Sequence, residues 1–310
     1  MIYTCTLNPS IDYRIEADQF TLGQLNRAET TTFYPGGKGI NVSRVLNNLA
    51  TDNIALGFLG GFTGKFILDY LNKEEVNHDF IIHDGPTRVN VKLKEANRET
   101  EINGVGAEIT HQSRTDLLEK IRVLKKDDYL VLAGSLPASI DFSFYEEISR
   151  ICYENEVSLI IDISYPELKE LLTYRPLLIK PNQDELMRIL GKELTTMEEI
   201  LEAGQELHRL GAQNVLISLG GDGAALVNGE DTLIANVPAG NVKSTVGSGD
   251  SMVAGFLSSY INSKDVEQAF RYSVAAGSAT AFSHDLCKRD AVEALLANVQ
   301  INRFKRGREQ

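Results

Sequence analysis

The segment Gly247-Ser248-Gly249-Asp250 stands immediately before an amphipathic stretch that extends from Ser251 to Ile261. Glycines at the start of a helix let backbone N–H groups point at an anion, and the helix dipole favours negative charge at the same place. A carboxylate in the first turn can face that anion and accept a proton from an attacking hydroxyl group. The segment therefore predicts a centre for phosphoryl transfer, with an ordinary glycine turn before a helix as the alternative.

A second glycine-rich segment runs from Pro35 to Asn41 and has three glycines within four positions. Glycine lets a ligand approach the backbone closely, and Lys38 and Asn41 would then lie on the first helical turn. A flexible turn with a solvated lysine is the alternative. Neither this segment nor Gly64-Lys65 is a Walker A loop, because the first glycine and the Ser or Thr of that motif are missing. No complete G-x-G-x-x-G fingerprint occurs, which argues against a dinucleotide oxidoreductase.

Two more polar segments begin where predicted strands end. In the first, Asn182 and Glu185 have the spacing of a capping box, and the same pair could lie near Mg²⁺ and its water molecules. The second runs from Ser218 to Gly223 and could bind a nucleotide or form a tight turn. Two arginines, Arg27 and Arg88, could each bind a phosphate through two hydrogen bonds, although arginines on protein surfaces are more often solvated.

Short apolar runs alternate with amphipathic stretches along the chain. Several runs are apolar throughout, as strands buried on both faces of a parallel sheet are. This order predicts an α/β fold with a mostly parallel central sheet. Ligands of such sheets bind at the carboxyl ends of the strands, so we expect the polar segments to meet there. The strands are predicted at Ile2–Leu7, Ile54–Leu59, Tyr129–Ala133, Leu159–Ile163, Leu177–Lys180 and Val215–Leu219.

One region departs from this alternation. Polar and apolar residues alternate strictly from Arg88 to Glu95, a turn is predicted at Ala96, Asn97 and Arg98, and the chain returns from Glu99 to Asn103. The pattern predicts a β-hairpin with one wet face, and Ile11–Phe20 is a candidate for a further strand beside it. A small antiparallel unit on an α/β body often serves as a lid. We therefore predict a single domain, 1–310, with lid strands at approximately 11–33 and 86–104.

Composition excludes several classes of function. The 310 residues include 43% hydrophobic ones, and the formal net charge of −12 argues against nucleic acid or an anionic membrane as the main partner. Three widely spaced cysteines (Cys5, Cys152 and Cys287) give neither a disulfide framework nor zinc-binding spacing. The N-terminus lacks the pattern of a signal peptide, and no long apolar run predicts a membrane span. We therefore expect a cytoplasmic protein with reduced thiols.

Together the four polar segments resemble the PfkB branch of the ribokinase-like family of carbohydrate kinases. Three further segments strengthen the resemblance: Thr6–Asp12, Leu132–Pro137 and Ala275–Ala281. The resemblance covers nearly the whole chain and implies a three-layer α/β/α fold with a small β-strand lid. The family often has Ala at position 248, where this chain has Ser, but that difference keeps the backbone amide.

The resemblance also implies a role for each matching residue. Asp250 would be the general base, and the amides of Gly247, Ser248 and Gly249 would form the anion hole. Residues that would bind the sugar phosphate are Asp12, Arg27, Gly37, Lys38, Asn41, Arg88, Asn90 and Ser135. Residues that would bind the nucleotide are Lys180, Asn182, Ser218, Gly220, Gly221, Asp222, Gly223 and Gly249. Asn182 and Glu185 would hold Mg²⁺ through water.

The reaction implied by the resemblance is transfer of a phosphoryl group from MgATP to the C6 hydroxyl of fructose 1-phosphate, with tagatose 6-phosphate as the rival substrate. An unphosphorylated sugar or a nucleoside is a further alternative acceptor, against which Arg27 and Arg88 argue. A non-catalytic binding protein on the same scaffold is an alternative from another class. The apolar alternation of the hairpin also suggests a homodimer in which the lids pack together.

Overall fold

The six predicted strands are present in one large sheet of the computed structural model, which describes residues 1–95, 98–229 and 231–304. The strands are β1 (Ile2–Thr6), β2 (Ser10–Ala17), β3 (Thr30–Gly36), β4 (Asn53–Gly60), β5 (Ile81–His83), β6 (Arg88–Glu95), β7 (Arg98–Ile102), β8 (Tyr129–Ala133), β9 (Ser158–Asp162), β10 (Leu178–Ile179), β11 (Asn214–Ser218), β12 (Ala224–Asn228), β13 (Thr232–Ala235) and β14 (Ile301–Arg303). The order across the large sheet is β14-β13-β12-β11-β10-β9-β8-β1-β4-β5. Neighbours from β11 to β5 are parallel, whereas β11 to β14 are antiparallel.

Helices cover both faces of this sheet. They are α1 (Lys38–Asn48), α2 (Gly61–Lys73), α3 (His111–Arg122), α4 (Ser143–Glu154), α5 (Leu168–Leu171), α6 (Gln183–Leu190), α7 (Met197–Leu210), α8 (Ser248–Ser263), α9 (Val266–Ala281) and α10 (Arg289–Leu296). One core contains side chains from α3 to α7, and another contains side chains from α1 and from α8 to α10. Alternate residues of β8 enter the two cores, which explains why its sequence is apolar throughout. Within the described ranges, no helix has the length and apolar character needed to cross a membrane.

The predicted lid is a separate four-stranded sheet with the order β3-β2-β6-β7. Strands β6 and β7 form the predicted antiparallel hairpin, and Glu95 pairs with Arg98. Arg98 therefore belongs to β7 and not to the turn; Ala96 and Asn97, also predicted there, lie outside the described residues. The sheet is not antiparallel throughout, because β2 and β6 run parallel, with Asp12 opposite Asn90.

In the lid hairpin, one residue of the polar face is more buried than residues of the apolar face. Asn90 on the polar face is only 7% exposed, whereas Val89 on the apolar face is 37% exposed and Ile102 of β7 is 62% exposed. Asn90 donates hydrogen bonds to Ser10 and Asp12 on β2, whereas Arg88, Lys92 and Lys94 on the same face are partly exposed. Solvent therefore reaches both faces of β6, and not only one face as was expected.

Candidate active site

Polar side chains converge at the carboxyl ends of the parallel strands, beside a cavity of about 650 Å³. Asp162 ends β9, Lys180 follows β10, and Ser218 ends β11. The first turns of α1 and α8 contribute Lys38 and Asp250 to the same cavity. A cavity of this size accommodates a nucleotide-sized ligand. The edge of the sheet that the sequence predicted as the ligand site is therefore the edge where these groups meet.

Asp250 lies in the first turn of α8, as predicted, and is 7% exposed. The helix is preceded by Gly247 at φ 79°, a left-handed conformation that side-chain-bearing residues adopt at a cost in energy. The N–H of Ser248 donates to the carbonyl oxygen of Thr245 at 3.2 Å. The amide of Ser248 could join the predicted anion hole only if this hydrogen bond opened. The same requirement does not apply to the amides of Gly247 and Gly249.

The side chain of Asn41 connects α1 to the carboxylate of Asp250. Its Nδ2 donates a hydrogen bond of 2.8 Å to Asp250 Oδ2. Asn41 occupies this place because α1 begins directly after Gly37, whose φ is 116° and where a Cβ would lie 2.7 Å from Thr6 Cγ2. The structure therefore brings together Asn41 and Asp250, which are 209 residues apart in the sequence.

Burial and the nearby negative charge of Asp162 raise the pKa of Asp250 to about 6. The positive charges of Lys38 and Lys180 and the hydrogen bond from Asn41 act in the opposite direction. The carboxylate is thus mostly ionised at neutral pH and more basic than an exposed aspartate. Such a group is suited to accept a proton.

Asp162, which sequence analysis did not identify, is the centre of the charge cluster. It is 1% exposed, and its Oδ1 lies 2.9 Å from Lys38 Nζ and 3.6 Å from Lys180 Nζ. Burial alone would raise the pKa of Asp162, but the two lysines outweigh burial and hold the pKa below its ordinary value. One signal in the sequence could have identified Asp162: it is an acidic residue within the otherwise apolar run Leu159–Ile163.

Lys38 contacts the acidic residues of the large cavity and not the lid residue Asp12. Its Nζ lies 3.6 Å from Glu185 Oε1, which also accepts a hydrogen bond from Ser164. The other oxygen of Glu185 accepts from the N–H of Asn182 at 2.9 Å, and Asn182 Oδ1 accepts from the N–H of Glu185 at 2.8 Å. The predicted capping box is therefore confirmed, and it fixes Glu185 at the edge of the cavity.

The oxygen atoms at this edge are compatible with Mg²⁺ that arrives with a nucleotide. Among the described residues, no group of three or more His, Cys, Asp or Glu side chains is arranged to hold a metal ion. Mg²⁺ commonly keeps several water molecules and takes only one or two carboxylates plus phosphate oxygens. Asp162 Oδ2 is buried and has no hydrogen-bond partner among the described residues, so one carboxylate oxygen is available.

The predicted sugar-binding residues Asp12 and Asn90 meet on the inner face of the lid. Asp12 Oδ1 accepts hydrogen bonds from Ser10 Oγ at 2.8 Å and from Asn90 Nδ2 at 3.1 Å. The second oxygen, Oδ2, lies 3.6 Å from Lys92 Nζ. These contacts hold a carboxylate in place for polar groups of a ligand between the lid and the body.

The structure brings Arg88 and Ser135 together but not Arg27. Arg88 Nη2 donates to the carbonyl oxygen of Asn8 at 3.0 Å, and Asn8 Nδ2 donates to Ser135 Oγ at 3.2 Å. Burial lowers the pKa of Arg88, although Asp12 opposes this effect. Arg27 lies in the exposed loop between β2 and β3. The described residues give the guanidinium group of Arg27 no contact with the site.

The segment Ser218–Gly223 lines the large cavity at the end of β11, except for the exposed Asp222. A 3₁₀ turn, Gly220–Asp222, connects β11 to β12, so the tight-turn interpretation is confirmed without excluding nucleotide contact. Apolar side chains that sequence analysis missed line the same cavity: Val237, Val242, Met252, Val274, Ala281 and Phe282. They come from three separated segments, and apart from Ala281, which ends the segment Ala275–Ala281, no local motif marked them.

A large α/β sheet with a β-strand lid and a buried carboxylate at a helix N-terminus defines a phosphotransferase of the ribokinase-like class. The family model for pfkB family carbohydrate kinases matches residues 6–290. The chain therefore belongs to the pfkB family of carbohydrate kinases. This finding confirms the predicted family and the predicted enzyme class.

Relatives of known name cover nearly all of the chain. A 1-phosphofructokinase of Bacillus subtilis is 44% identical over 304 residues, 98% of this chain and 100% of the relative. A D-tagatose-1-phosphate kinase of Bacillus licheniformis is 39% identical, over 97% of this chain and 99% of the relative. Phosphofructokinase-2 from Escherichia coli, solved with substrates and products, is 31% identical with a TM-score of 0.90, over 96% of this chain and 98% of that one. That protein also has a tetrameric inhibited form.

We expect the Asp250→Asn variant to be more stable than the wild-type protein well above pH 6. The pKa of Asp250 is higher in the folded protein (about 6) than its ordinary value of 3.8, so ionisation destabilises the fold. The penalty is absent below about pH 4 and complete above about pH 6. Urea unfolding across this range should show a difference of about 1–3 kcal/mol that grows with pH. Equal stabilities at high pH would contradict the environment described for Asp250; Asp290→Asn, in the first turn of α10, is the exposed control.

Proposed function

We propose that this protein transfers the γ-phosphoryl group of ATP to the C6 hydroxyl of fructose 1-phosphate, giving fructose 1,6-bisphosphate and ADP. The observation that carries the proposal is the position of Asp250. Its buried carboxylate lines the nucleotide-sized cavity and accepts a hydrogen bond from Asn41, and Asn41 lines a second cavity together with Asp12 of the lid. The names of the relatives from Bacillus subtilis and Bacillus licheniformis, both kinases of ketose 1-phosphates, support the same substrate class.

Asp250 would accept the proton of the attacking hydroxyl group as that oxygen approaches the γ-phosphorus in line. The N-terminus of α8 would stabilise charge on the phosphoryl oxygens, chiefly through the amides of Gly247 and Gly249. Lys38 and Lys180 add two positive charges at the same place. When bound, Mg²⁺ would neutralise phosphate charge, with Asn182 and Glu185 holding its water molecules.

At the sugar end, Asp12 and Asn90 would bind hydroxyl groups, and Arg88 would bind the phosphate already on the sugar. Support comes from the buried hydrogen bonds of Asn90 and from the contact of Arg88 with the same loop that Ser135 approaches. Arg27 is a weaker part of the proposal because its loop is exposed. It would reach the phosphate only if that loop moves.

At the nucleotide end, the turn after β11 and the apolar wall opposite it would hold the base and ribose. Glycines 220, 221 and 223 present backbone to the cavity, whereas the side chain of Asp222 points to solvent-exposed surface. We regard residues 1–310 as one kinase domain. Its lid, at approximately 11–33 and 86–104, would close over the sugar and exclude water that competes as an acceptor.

Tagatose phosphates are the second candidate substrates. Tagatose 1-phosphate differs from fructose 1-phosphate in the configuration of one carbon, and tagatose 6-phosphate offers a similar span between hydroxyl and phosphate. The relative from Bacillus licheniformis favours the first of these. A non-catalytic binding function is disfavoured because both the proposed base and the glycine-flanked helix start are intact.

The outer face of the lid would dock on a second copy of this chain. In the lid register, Val91 lies opposite Tyr13 and Ile102, so apolar residues of three strands share this face. Phe33 is 48% exposed and Ile102 is 62% exposed. An apolar sheet face of this kind is a candidate for contact between identical subunits.

The substrate proposal predicts that kcat/KM for fructose 1-phosphate exceeds that for tagatose 1-phosphate, tagatose 6-phosphate, fructose 6-phosphate and free fructose by about tenfold or more. ADP release with MgATP measures this directly. Arg88→Gln should weaken only the phosphorylated sugars, and its KM for ATP should stay unchanged. If a tagatose phosphate is the best substrate, the proposed sugar is wrong and the proposed mechanism stands. If only free sugar is turned over, the proposed role of Arg88 is wrong.

We expect Asp250→Asn to lower kcat by at least about 10² with little change in either KM, because the amide cannot accept the proton. Steady-state kinetics with both substrates varied would measure the two effects separately. Asp290→Asn is the matched control, since it also neutralises a first-turn aspartate but lies on the exposed surface of α10. Near-normal turnover in the Asp250 variant would remove this residue from the role of base.

The dimer proposal predicts that Ile102→Glu changes the mass in solution light scattering from dimer to monomer. The charge would be placed on the apolar face that the second copy covers. Ile82→Glu is the control, because Ile82 is also 62% exposed but lies on β5 in the body. A wild-type monomer, or a dimer that survives the Ile102 change and not the Ile82 change, would count against the lid as the interface.

A further inference from the structure

Arg44 is a buried cation that none of the proposed catalytic steps uses. It is 3% exposed and lies on α1, three residues after Asn41. Its Nε and Nη2 donate to the two oxygens of Glu74 at 2.7 and 2.8 Å. Its Nη1 and Nη2 donate to the two oxygens of Asp285 at 3.3 and 2.8 Å. One guanidinium group is thus paired with two carboxylates, and it also lies 5.1 Å from the centre of the Tyr70 ring.

Asp285 belongs to the loop after α9, and this loop lies beneath the start of α8. Asp285 Oδ1 accepts a hydrogen bond of 2.8 Å from the N–H of Leu286. The side chain of Leu286 packs so closely on Gly247 that a Cβ there would lie 2.6 Å from Leu286 Cδ2. The position of Asp285 therefore affects how Leu286 packs on Gly247, at the turn from which α8 begins.

The same loop is attached to α1 and to α8 at a second point. Asn48 Nδ2, on α1, donates to the carbonyl oxygen of Cys287 at 2.9 Å. The N–H of Cys287 donates to Thr280 Oγ1 at 3.0 Å, and that hydroxyl group lies 2.7 Å from Ser251 Oγ on α8. The loop is therefore attached both to the helix that carries Asn41 and, through Thr280, to the helix that carries Asp250.

Arg44 is buried, but the side chains of its partners Glu74 and Asp285 are 32% and 42% exposed. Ion pairs with solvent-exposed partners add only modest stability. The planar guanidinium group of Arg44 has five N–H donors and makes two bidentate contacts. Such contacts leave the two carboxylates little freedom to move relative to each other. The pairing therefore suits a place where two elements must keep a set distance.

We propose that Arg44 and Asp285 form a positioning clamp that holds α1 against the loop after α9 and thereby keeps Asn41 in hydrogen-bond contact with Asp250. This inference rests on the proposed role of Asp250 as base. Arg44 and Asp285 touch no reacting atom in it. They set the distance between the base and the amide that orients it.

The clamp can be tested through the acid limb of the pH–rate profile. The groups that face Asp250 are Asp162, Lys38, Lys180 and Asn41. Because the hydrogen bond from Asn41 stabilises the ionised carboxylate, loosening it raises the pKa of Asp250 and moves the acid limb to higher pH. Loss of the negative charge of Asp285 by itself could only lower that pKa. An upward shift in Asp285→Asn therefore reports position and not charge.

In Asp285→Asn we expect the acid limb of kcat/KM to move upward by about half a pH unit or more and kcat to fall by about tenfold, because small displacements of a catalytic group are costly. The KM for ATP should stay within about twofold, since neither Arg44 nor Asp285 lines the nucleotide cavity. Arg44→Lys, which keeps the charge but not the bidentate geometry, should give the same direction of shift. It serves as the second variant should one of the two fold poorly.

Arg289→Met is the matched control. Arg289 also holds α1, through the carbonyl oxygen of Leu49, but at the end of the helix far from Asn41. We expect this variant to lower the melting temperature and to leave the acid limb in place. If Asp285→Asn likewise lowers stability without moving the acid limb, the clamp is only structural and the inference is wrong. If the wild-type protein has no acid limb and Asp250→Asn is fully active, the proposed function fails instead.

Discussion

The buried Lys180 and the partly exposed Lys38 share the carboxylate of Asp162, and the site depends on this cluster of charges. Asp162 ends β9, Lys180 follows β10 and Lys38 begins α1, so the cluster forms only when these three elements are in place. Removing Asp162 would take this partner from the buried ammonium group of Lys180, which is destabilising, whereas removing one lysine would leave Asp162 paired with the other. The same cluster sets the basicity of Asp250, because Asp162 and the lysines act on it in opposite directions.

Two helix N-termini converge beside this cluster, and a glycine in a left-handed or similarly restricted conformation precedes each. Gly37 precedes α1 and Gly247 precedes α8. The two helices belong to the same layer and contribute to the same core, so they lie side by side without a ligand. The Asn41–Asp250 hydrogen bond is therefore present before any substrate binds, which is what preorganised catalysis requires.

The sequence predicted the strands and helices better than it predicted which side chains contact one another. Apolar runs such as Tyr129–Ala133 identified strands buried on both faces, and the capping box at Asn182 identified the start of α6. Asp162 was missed because its contact with Lys180 depends on β9 and β10 being neighbours in the sheet, and its contact with Lys38 depends on where α1 begins. The assignment of Lys38 to the sugar stays a prediction. No local pattern states the order of strands. The antiparallel edge from β12 to β14 was missed for the same reason.

In the lid, the alternation of side chains along each strand relates the residues that face the site to those on the outer surface. Successive side chains of a strand point to opposite faces, so a strand that presents Asp12 or Asn90 to a polar ligand must present its other residues outward. In β6 those residues are Val89, Val91 and Leu93. Helix α2 covers part of the apolar face, because Ile11 packs with Ile67 and Phe33 contacts Phe66. Val89 and Ile102 on that face stay exposed. The alternation in β6 thus ties the residues that face the site to those on the opposite face of the lid.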